Sequence, residues 1–389
     1  MLLATLWLSN IIQLAVRYSW GIAIPFASKQ LEINSFLAGL VGSSFYIGYV
    51  ITGIPSGYIS DRVGPRIATT SSLLFLALLT ALIGLSRSYA AVLAAYFISG
   101  IIAGPIFPSS LKVISEAFGG GRRATSVGML ETVSPIAFLI SASIFPIITN
   151  KLGWNYMYFV IALASVAAAA LYLVYIPSRS VQVNKEKVEF ANAIKNRQVI
   201  NGAAIRLGGM WGLIGLSTWY YFLAINSAKN LLDAQLLLVI LSLFAVIGQV
   251  LGGIFSDRWL SMGRKRLATE GLYLFTLSLL LLAFGRAGWV VYFSAAITGF
   301  SAYFWKAGLD TYIVEAASAT GTASGIGVMN TISQLGSLAA PAAVGFALDL
   351  FGTSSFYPVL FLLAGPLASS FILTAGPYSK VNLNKKRQV

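Results

Sequence analysis

The sequence contains no cysteine and no histidine. The first absence excludes disulfides and thiol chemistry. The second removes the usual imidazole proton relay and the commonest metal ligand. Charge is scarce as well, at 10% of 389 residues, where a soluble domain carries about 25%. Acids are the rarer sign: 12 Asp and Glu against 26 Lys and Arg give a net charge of +14. The few acids are scattered over different apolar stretches, so neither a nucleophile with its base nor a metal cluster can be assembled. The chain is therefore not read as an enzyme, and neither a metal nor a cofactor is expected.

What is abundant is apolar surface, 57% of residues with a mean hydropathy of +0.81, and it needs lipid as its solvent. Stretches of about 20 mostly apolar residues give twelve spans, at 2–26, 36–59, 67–86, 89–115, 125–149, 154–176, 199–225, 234–256, 267–285, 288–314, 324–348 and 355–376. The first is too long for a signal-peptide core and ends in no small-residue cleavage site, so it is read as a retained span. Most connections are short. The exception, 177–198, is polar and divides six spans (1–176) from six (199–389).

With an even span count and both termini placed in the cytoplasm, 17 of the 26 basic residues fall in inside loops and the tail, and 5 fall outside. That bias sets the orientation and accounts for the basic charge without nucleic acid. The remaining four, Arg17, Lys112, Arg206 and Lys306, lie within spans. The chain is expected in the cell membrane, as a monomer.

The two halves repeat. GYISDRVGPR (Gly57–Arg66) follows span 2, and a degenerate copy containing Asp257 and Arg258 follows span 8. At an offset of 199, Glu116 matches Glu315, Gly128 matches Gly327, Thr132 matches Thr331 and Ser134 matches Ser333. Parallel six-span halves related by an axis along the membrane normal are a known transporter plan. In the hinge, Gly57 and Gly64 allow close approach and a tight turn. Asp61 can face the positive end of a neighbouring helix, and Arg62 and Arg66 can reach carboxylates or carbonyls. The duplication suggests that Asp61 meets the start of span 11 near Ser324 and Asp257 the start of span 5 near Thr125. Arg62 and Arg258 would then pair with Glu116 and Glu315. These contacts would shut the cytoplasmic side in an outward-open state.

Twelve spans, a central loop and G-x-x-x-D-R-x-G-x-R after span 2 resemble the major facilitator superfamily over essentially the whole chain. The resemblance implies an all-α membrane protein, with twelve transmembrane helices in two pseudo-symmetric six-helix bundles, working by alternating access around a central site.

Ionisable groups inside spans cost about 2.5–3.5 kcal/mol each on insertion scales, so each calls for an explanation. Asn10, Gln13, Arg17 and Gly21 form one polar stripe on span 1, which suits a bundle interior. There Arg17 can clamp a carboxylate or phosphate bidentately, or pair with an acid on another span. Tyr303, Lys306 and Asp310 share a face of span 10, and the spacing of four allows an internal Lys306–Asp310 pair. Arg206 is close enough to the cytoplasmic end of span 7 to snorkel. Glu131, aligned with Asn330, is read as a protonatable carboxylate or as one partner of a salt bridge with the other half. Asn330, Gln334 and Ser337 align on span 11, and Ser217 and Tyr221 on span 7; Tyr46, Tyr49 and Gln249 are further cavity candidates. The spacings of Gly100 with Gly104, and of Gly248 with Gly252, suit close helix contacts.

Within the superfamily the first half is most similar to the anion:cation symporters, through Arg17, IPSGYISDRVGPR, GIIAGPIFPSSLKVISEAF and Ser126–Gly128. That resemblance implies an organic-anion substrate bound by Arg17 and a proton as the candidate coupling ion. The chain departs from it at Val16, Tyr96 and Ala103, where many members carry charges, so Glu131 or Asp310 would have to take over coupling. Three deep cations (Arg17, Arg206, Lys306) against two deep acids (Glu131, Asp310) favour a monoanion. Proton-coupled drug export, uniport and anion exchange remain alternatives; LETVSPIAFLISAS in span 5 lacks the exporters' G-P-x-x-G.

Overall fold

The structure is a computed structural model. It describes residues 1–118, 126, 128–178, 195–228, 230–258, 264–285, 288–317, 322–352 and 357–375, without the side chains of 54, 227, 258, 314–317, 322–326 and 375. Among the described residues there is no strand. The helices are α1 (Leu2–Gln30), α2 (Ser35–Val63), α3 (Pro65–Leu85), α4 (Tyr89–Ala103), α5 (Ile106–Ala117), α6 (Val133–Leu152), α7 (Trp154–Tyr175), α8 (Arg197–Ser227), α9 (Leu231–Arg258), α10 (Arg264–Phe284), α11 (Trp289–Ala317), α12 (Thr322–Phe351) and α13 (Tyr357–Ala375).

Among the described residues, ten segments are long and apolar enough to cross a membrane. Missing from them are α1 and α11, which at 29 residues each are ample in length. What they lack is apolarity, because they carry Asn10, Gln13 and Arg17, and Lys306 and Asp310. A span that buries charge among its neighbours pays in hydropathy.

Span 4, expected as one helix over 89–115, is two. Gly104 donates back to the Ile101 carbonyl (3.3 Å) in the tighter i−3 pattern, and Pro105 has no N–H with which to continue the ladder. Span 5 has a similar fault: the helical residues 128–131 lead into a turn at Thr132, which donates to the Met129 carbonyl at 3.3 Å. α2 also contains Pro55. At its end Gly64 adopts φ +84°, which a side chain would strain. Pro65 then starts α3 at the first helical position, where its missing N–H is harmless.

Helix pairings repeat between the halves. In the first half α1 packs on α6, α2 on α4 and α3 on α7; in the second, α8 packs on α12, α9 on α11 and α10 on α13. Glycines set the closest of these contacts. A Cβ at Gly48 or Gly100 would strike the Phe97 or Phe45 carbonyl across α2 and α4. One at Gly248, Gly252 or Gly299 would strike the Phe300, Phe304 or Leu241 carbonyl across α9 and α11.

Across the halves the main contact is α2 with α12, joined by α6 with α9 and α1 with α8. The bundle has a terminal face, which carries the N-terminus and the Gly64 turn, and a far face with the α1–α2 turn at 31–34. At the far face α2 and α12 touch backbone to backbone: a Cβ at Gly39 would meet the Pro341 carbonyl, and one at Gly345 the Ser35 carbonyl. Asp349 of α12 accepts from the backbone N–H groups of Ser35 and Phe36, each at 2.9 Å, and Asn34 caps Leu37 N–H at 2.9 Å. One helix start is thus capped by an acid from the other half. Ala342 N–H donates to Ser43 Oγ (3.3 Å), and Gln235 Nε2 to the Ser143 carbonyl (3.2 Å). Toward the terminal face the seam loosens. Gly53 lies on the same stripe of α2 and would place a Cβ 3.9 Å from Thr331 Oγ1; at Gly57 nothing lies within 4 Å.

Candidate functional site

Midway through the bundle α1, α2, α6, α8, α11 and α12 bring polar side chains together. Tyr18 of α1 sits 3.1 Å from both Ser134 Oγ (α6) and the Tyr303 hydroxyl (α11), so the halves share a buried hydroxyl cluster.

Two groups of charge flank it. The first is a chain of four. Arg206 Nε donates to Asp310 Oδ1 (2.6 Å), and Arg206 Nη1 to Ser333 Oγ (2.6 Å). Lys306 Nζ lies 3.0 Å from Asp310 Oδ2 and 2.9 Å from Glu131 Oε2. Two cations and two acids cancel, and the Lys306–Glu131 bond ties the halves together. Arg206 does not snorkel as the sequence suggested; it is buried, because Asp310 and Ser333 satisfy it where it stands. Glu131 realises its ion-pair option, and Lys306 has both the expected internal partner and a second one.

The second group is Arg17 alone. Its guanidinium carbon lies 4.2 Å from the Tyr49 ring centroid, 5.1 Å from Phe45 and 5.6 Å from Tyr46, all three on α2. Such cation–π contacts are worth about 0.5–2 kcal/mol, and they leave the N–H donors unused. Arg17 Nε and Nη2 are buried with no hydrogen-bond partner. An unsatisfied buried donor costs about 1–3 kcal/mol, more when charged, so the ring cage does not offset the burial. One turn back, Gln13 donates to Asn10 Oδ1 (3.2 Å), and its own Oε1 is buried without a donor. Gln334 Oε1 and Ser337 Oγ on α12 are in the same condition, and Asn330 is half-buried one turn from Gln334. Tyr46 and Tyr221 are buried.

The helix-turn residues stand apart. Asp61 pairs with Lys112 of its own half at 2.7 Å. Arg62 lies over the ring of Tyr58 one turn back, 5.2 Å to the centroid. Arg66 donates to the Leu173 carbonyl, fastening α3 to α7. Glu116 is exposed. Asp257 is 81% exposed, with Arg264 Nη2 3.9 Å away. The side chains of Arg258, Glu315 and Ser324, and residue Thr125, lie outside the described residues, so three of the four expected gate contacts, including both that cross the halves, fall there. The fourth pair, Arg62 with Glu116, has Arg62 on Tyr58 instead.

At the positions where many symporters hold charges, Val16 and Ala103 are fully buried packing. Tyr96 is tied by its hydroxyl to Tyr158 (2.6 Å) and Ser19 (3.1 Å). Phe45 was not singled out in the sequence. Its signal was available, since it precedes Tyr49 by one helical turn and stacks on it at 6.4 Å.

The Major Facilitator Superfamily model matches residues 6–341. The chain belongs to the Major Facilitator Superfamily. Within this superfamily it is 24% identical over 430 residues to a Bacillus subtilis protein named "Probable galactarate/D-glucarate transporter", covering 98% of this chain and 93% of that one. It is also 24% identical over 389 residues to the hexuronate transporter of the same organism, covering 93% and 90%. Among solved structures it resembles the nucleoside transporter NupG, with a TM-score of 0.79 at 15% identity over 96% of this chain and 99% of that one. A bacterial homologue of the human lysosomal transporter Spinster, in an inward-facing conformation, gives 0.75 at 14% identity over 96% and 94%. These likenesses establish the superfamily fold, that of a multi-pass membrane transporter.

Proposed function

We propose that this transporter imports a small organic anion, a carboxylate bearing hydroxyl groups, by alternating access, with Arg17 as the group that receives the carboxylate. The observation that carries the reading is the buried Arg17 guanidinium with two donors unpaired. A carboxylate presents acceptors to both in the bidentate geometry that guanidinium favours. The partnerless carbonyl oxygens of Gln13 and Gln334 are acceptors suited to substrate hydroxyls, and Tyr46, Tyr221 and Asn330 are proposed as further contacts. Relatives named for hexuronates and for galactarate/D-glucarate support this substrate chemistry.

The terminal face is assigned to the cytoplasm on the excess of basic residues in its loops, in the cell membrane, with residues 1–176 and 199–389 as the two bundles joined by 177–198, acting as a monomer. Import of an anion against an inside-negative potential costs about 2.3 kcal/mol per charge per 100 mV. A co-transported proton removes that cost. Glu131 and Asp310, paired with Lys306 and Arg206, are the acids proposed to carry it. The gate is assigned to Gly57, Asp61, Arg62, Gly64, Arg66, Glu116, Asp257, Arg258 and Glu315.

Counterflow in proteoliposomes with a panel of organic acids tests the reading. A carboxylate should exchange saturably, and Arg17→Ala should reduce its uptake by about 100-fold or more, the scale of two charge-assisted hydrogen bonds, with the protein still folded. Transport of lipophilic cations and no anions, or undiminished anion uptake in Arg17→Ala, would overturn it.

A further inference from the structure

Resting on the Arg17 reading, we infer that Glu131 is a specificity-determining residue: by pairing with Lys306 it withholds the second cation of the site and selects monocarboxylates over dicarboxylates. A diacid needs two cationic partners, because a carboxylate buried without one keeps its desolvation cost. Besides Arg17, the deep cations of the interior are Lys306 and Arg206. Arg206 is spent on Asp310 and Ser333. Asp310 alone holds Arg206 at 2.6 Å and Lys306 at 3.0 Å, so its one charge is shared by two cations. Glu131, at 2.9 Å from Lys306 Nζ, supplies the charge that Asp310 cannot.

The placement fits this role. Lys306 lies one turn beyond Tyr303 on α11, and the Tyr303 hydroxyl meets that of Tyr18, the neighbour of Arg17. The Tyr18–Tyr303 contact thus lies beside both cationic centres, next to Arg17 along α1 and one turn from Lys306 along α11. The side chain of Glu131 is 39% exposed while that of Lys306 is 10% exposed, so the acid is the more accessible partner and the lysine the more enclosed one. The substrate class that remains is a hydroxylated monocarboxylate, such as a hexuronate, rather than an aldarate.

The test is equilibrium binding to the purified protein in detergent, followed by tryptophan fluorescence, with glucuronate and with D-glucarate, which has the same carbon count. Wild type should bind the monoacid at least about tenfold more tightly than the diacid, the scale of one unpaired charge near a protein surface. Glu131→Gln should narrow that ratio by about tenfold, and Glu131→Gln with Lys306→Met should restore it. The ratio is read at equilibrium, so loss of proton coupling, which alters accumulation, is not mistaken for it. Equal wild-type affinities, or a ratio unmoved by Glu131→Gln, would overturn the inference while leaving Arg17 as the anion site. If Glu131→Gln does not fold, the wild-type ratio decides alone. If wild type binds neither acid, the organic-anion reading fails and takes this one with it.

Discussion

The two ends of the α2–α12 pair are built from the same materials and do opposite things. At the far face, glycines let the backbones touch, and Asp349 caps the start of α2 from across the seam. At the terminal face, glycines continue the stripe, yet Gly57 meets nothing within 4 Å, and Asp61 turns to Lys112 in its own half. The helices run antiparallel, so each ends in an acid on the face where the other starts. One acid is engaged and the other is held aside. A seam that zips at one end as it opens at the other is what alternating access requires.

That contrast can be broken from either end. The largest effect is expected from Gly39→Leu. Its side chain has no room against the Pro341 carbonyl, and overpacking a close contact costs about 1–3 kcal/mol or more. The far face should fail to close, and transport should fall to background with the protein still folded. Spin-label distances between α2 and α12 at the far face measure this. Next comes Asp349→Asn, which removes the charge and keeps a weaker acceptor. A carboxylate at a helix start is worth about 1 kcal/mol, so the far-open population should rise roughly fivefold by the same distances. The smallest shift is expected from Asp61→Asn. It frees Lys112 and should change the balance by about twofold to fivefold, in the direction opposite to Asp349→Asn if Asp61 clasps α12 when the terminal face shuts. An unchanged balance would limit Asp61 to its pairing with Lys112. Because the chain has no cysteine, each introduced thiol is a unique labelling site.

Much of this was legible in the sequence, for physical reasons that can be named. Membrane thickness fixes span length, so hydropathy located the spans, including α1 and α11, whose polar stripes keep their hydropathy low. Arg17 stood out because a lone charge in a span is costly. The break at Gly104–Pro105 was also written there, since Pro cannot continue a helix ladder, but a run of apolar residues hid it. Of the Arg206–Asp310–Lys306–Glu131 chain, the Lys306–Asp310 pair and a cross-half ion pair for Glu131 were legible as options, while the partners of Glu131 and of Arg206 were not. Their pairing joins α8, α11 and the lead-in to α6, and no local spacing encodes it beyond the interval between Lys306 and Asp310. Asp349 gave no signal, because an acid at the end of a span looks like the start of a loop until its partner is seen.

Pro55 gives α2 two mechanically different arms. From the clasp at Ser35 to the ring cage at Phe45–Tyr49 there is no interruption, and ten residues of helix make a rod of about 15 Å. Between the cage and Asp61 lies a proline, which removes one rung and leaves a soft joint. On the proposed role of Arg17, a carboxylate that draws it off its rings would pull on a stiff lever toward the far face and a slack one toward the terminal face. Substrate arrival should be felt first at the far face, with the terminal face following after a delay set by the joint.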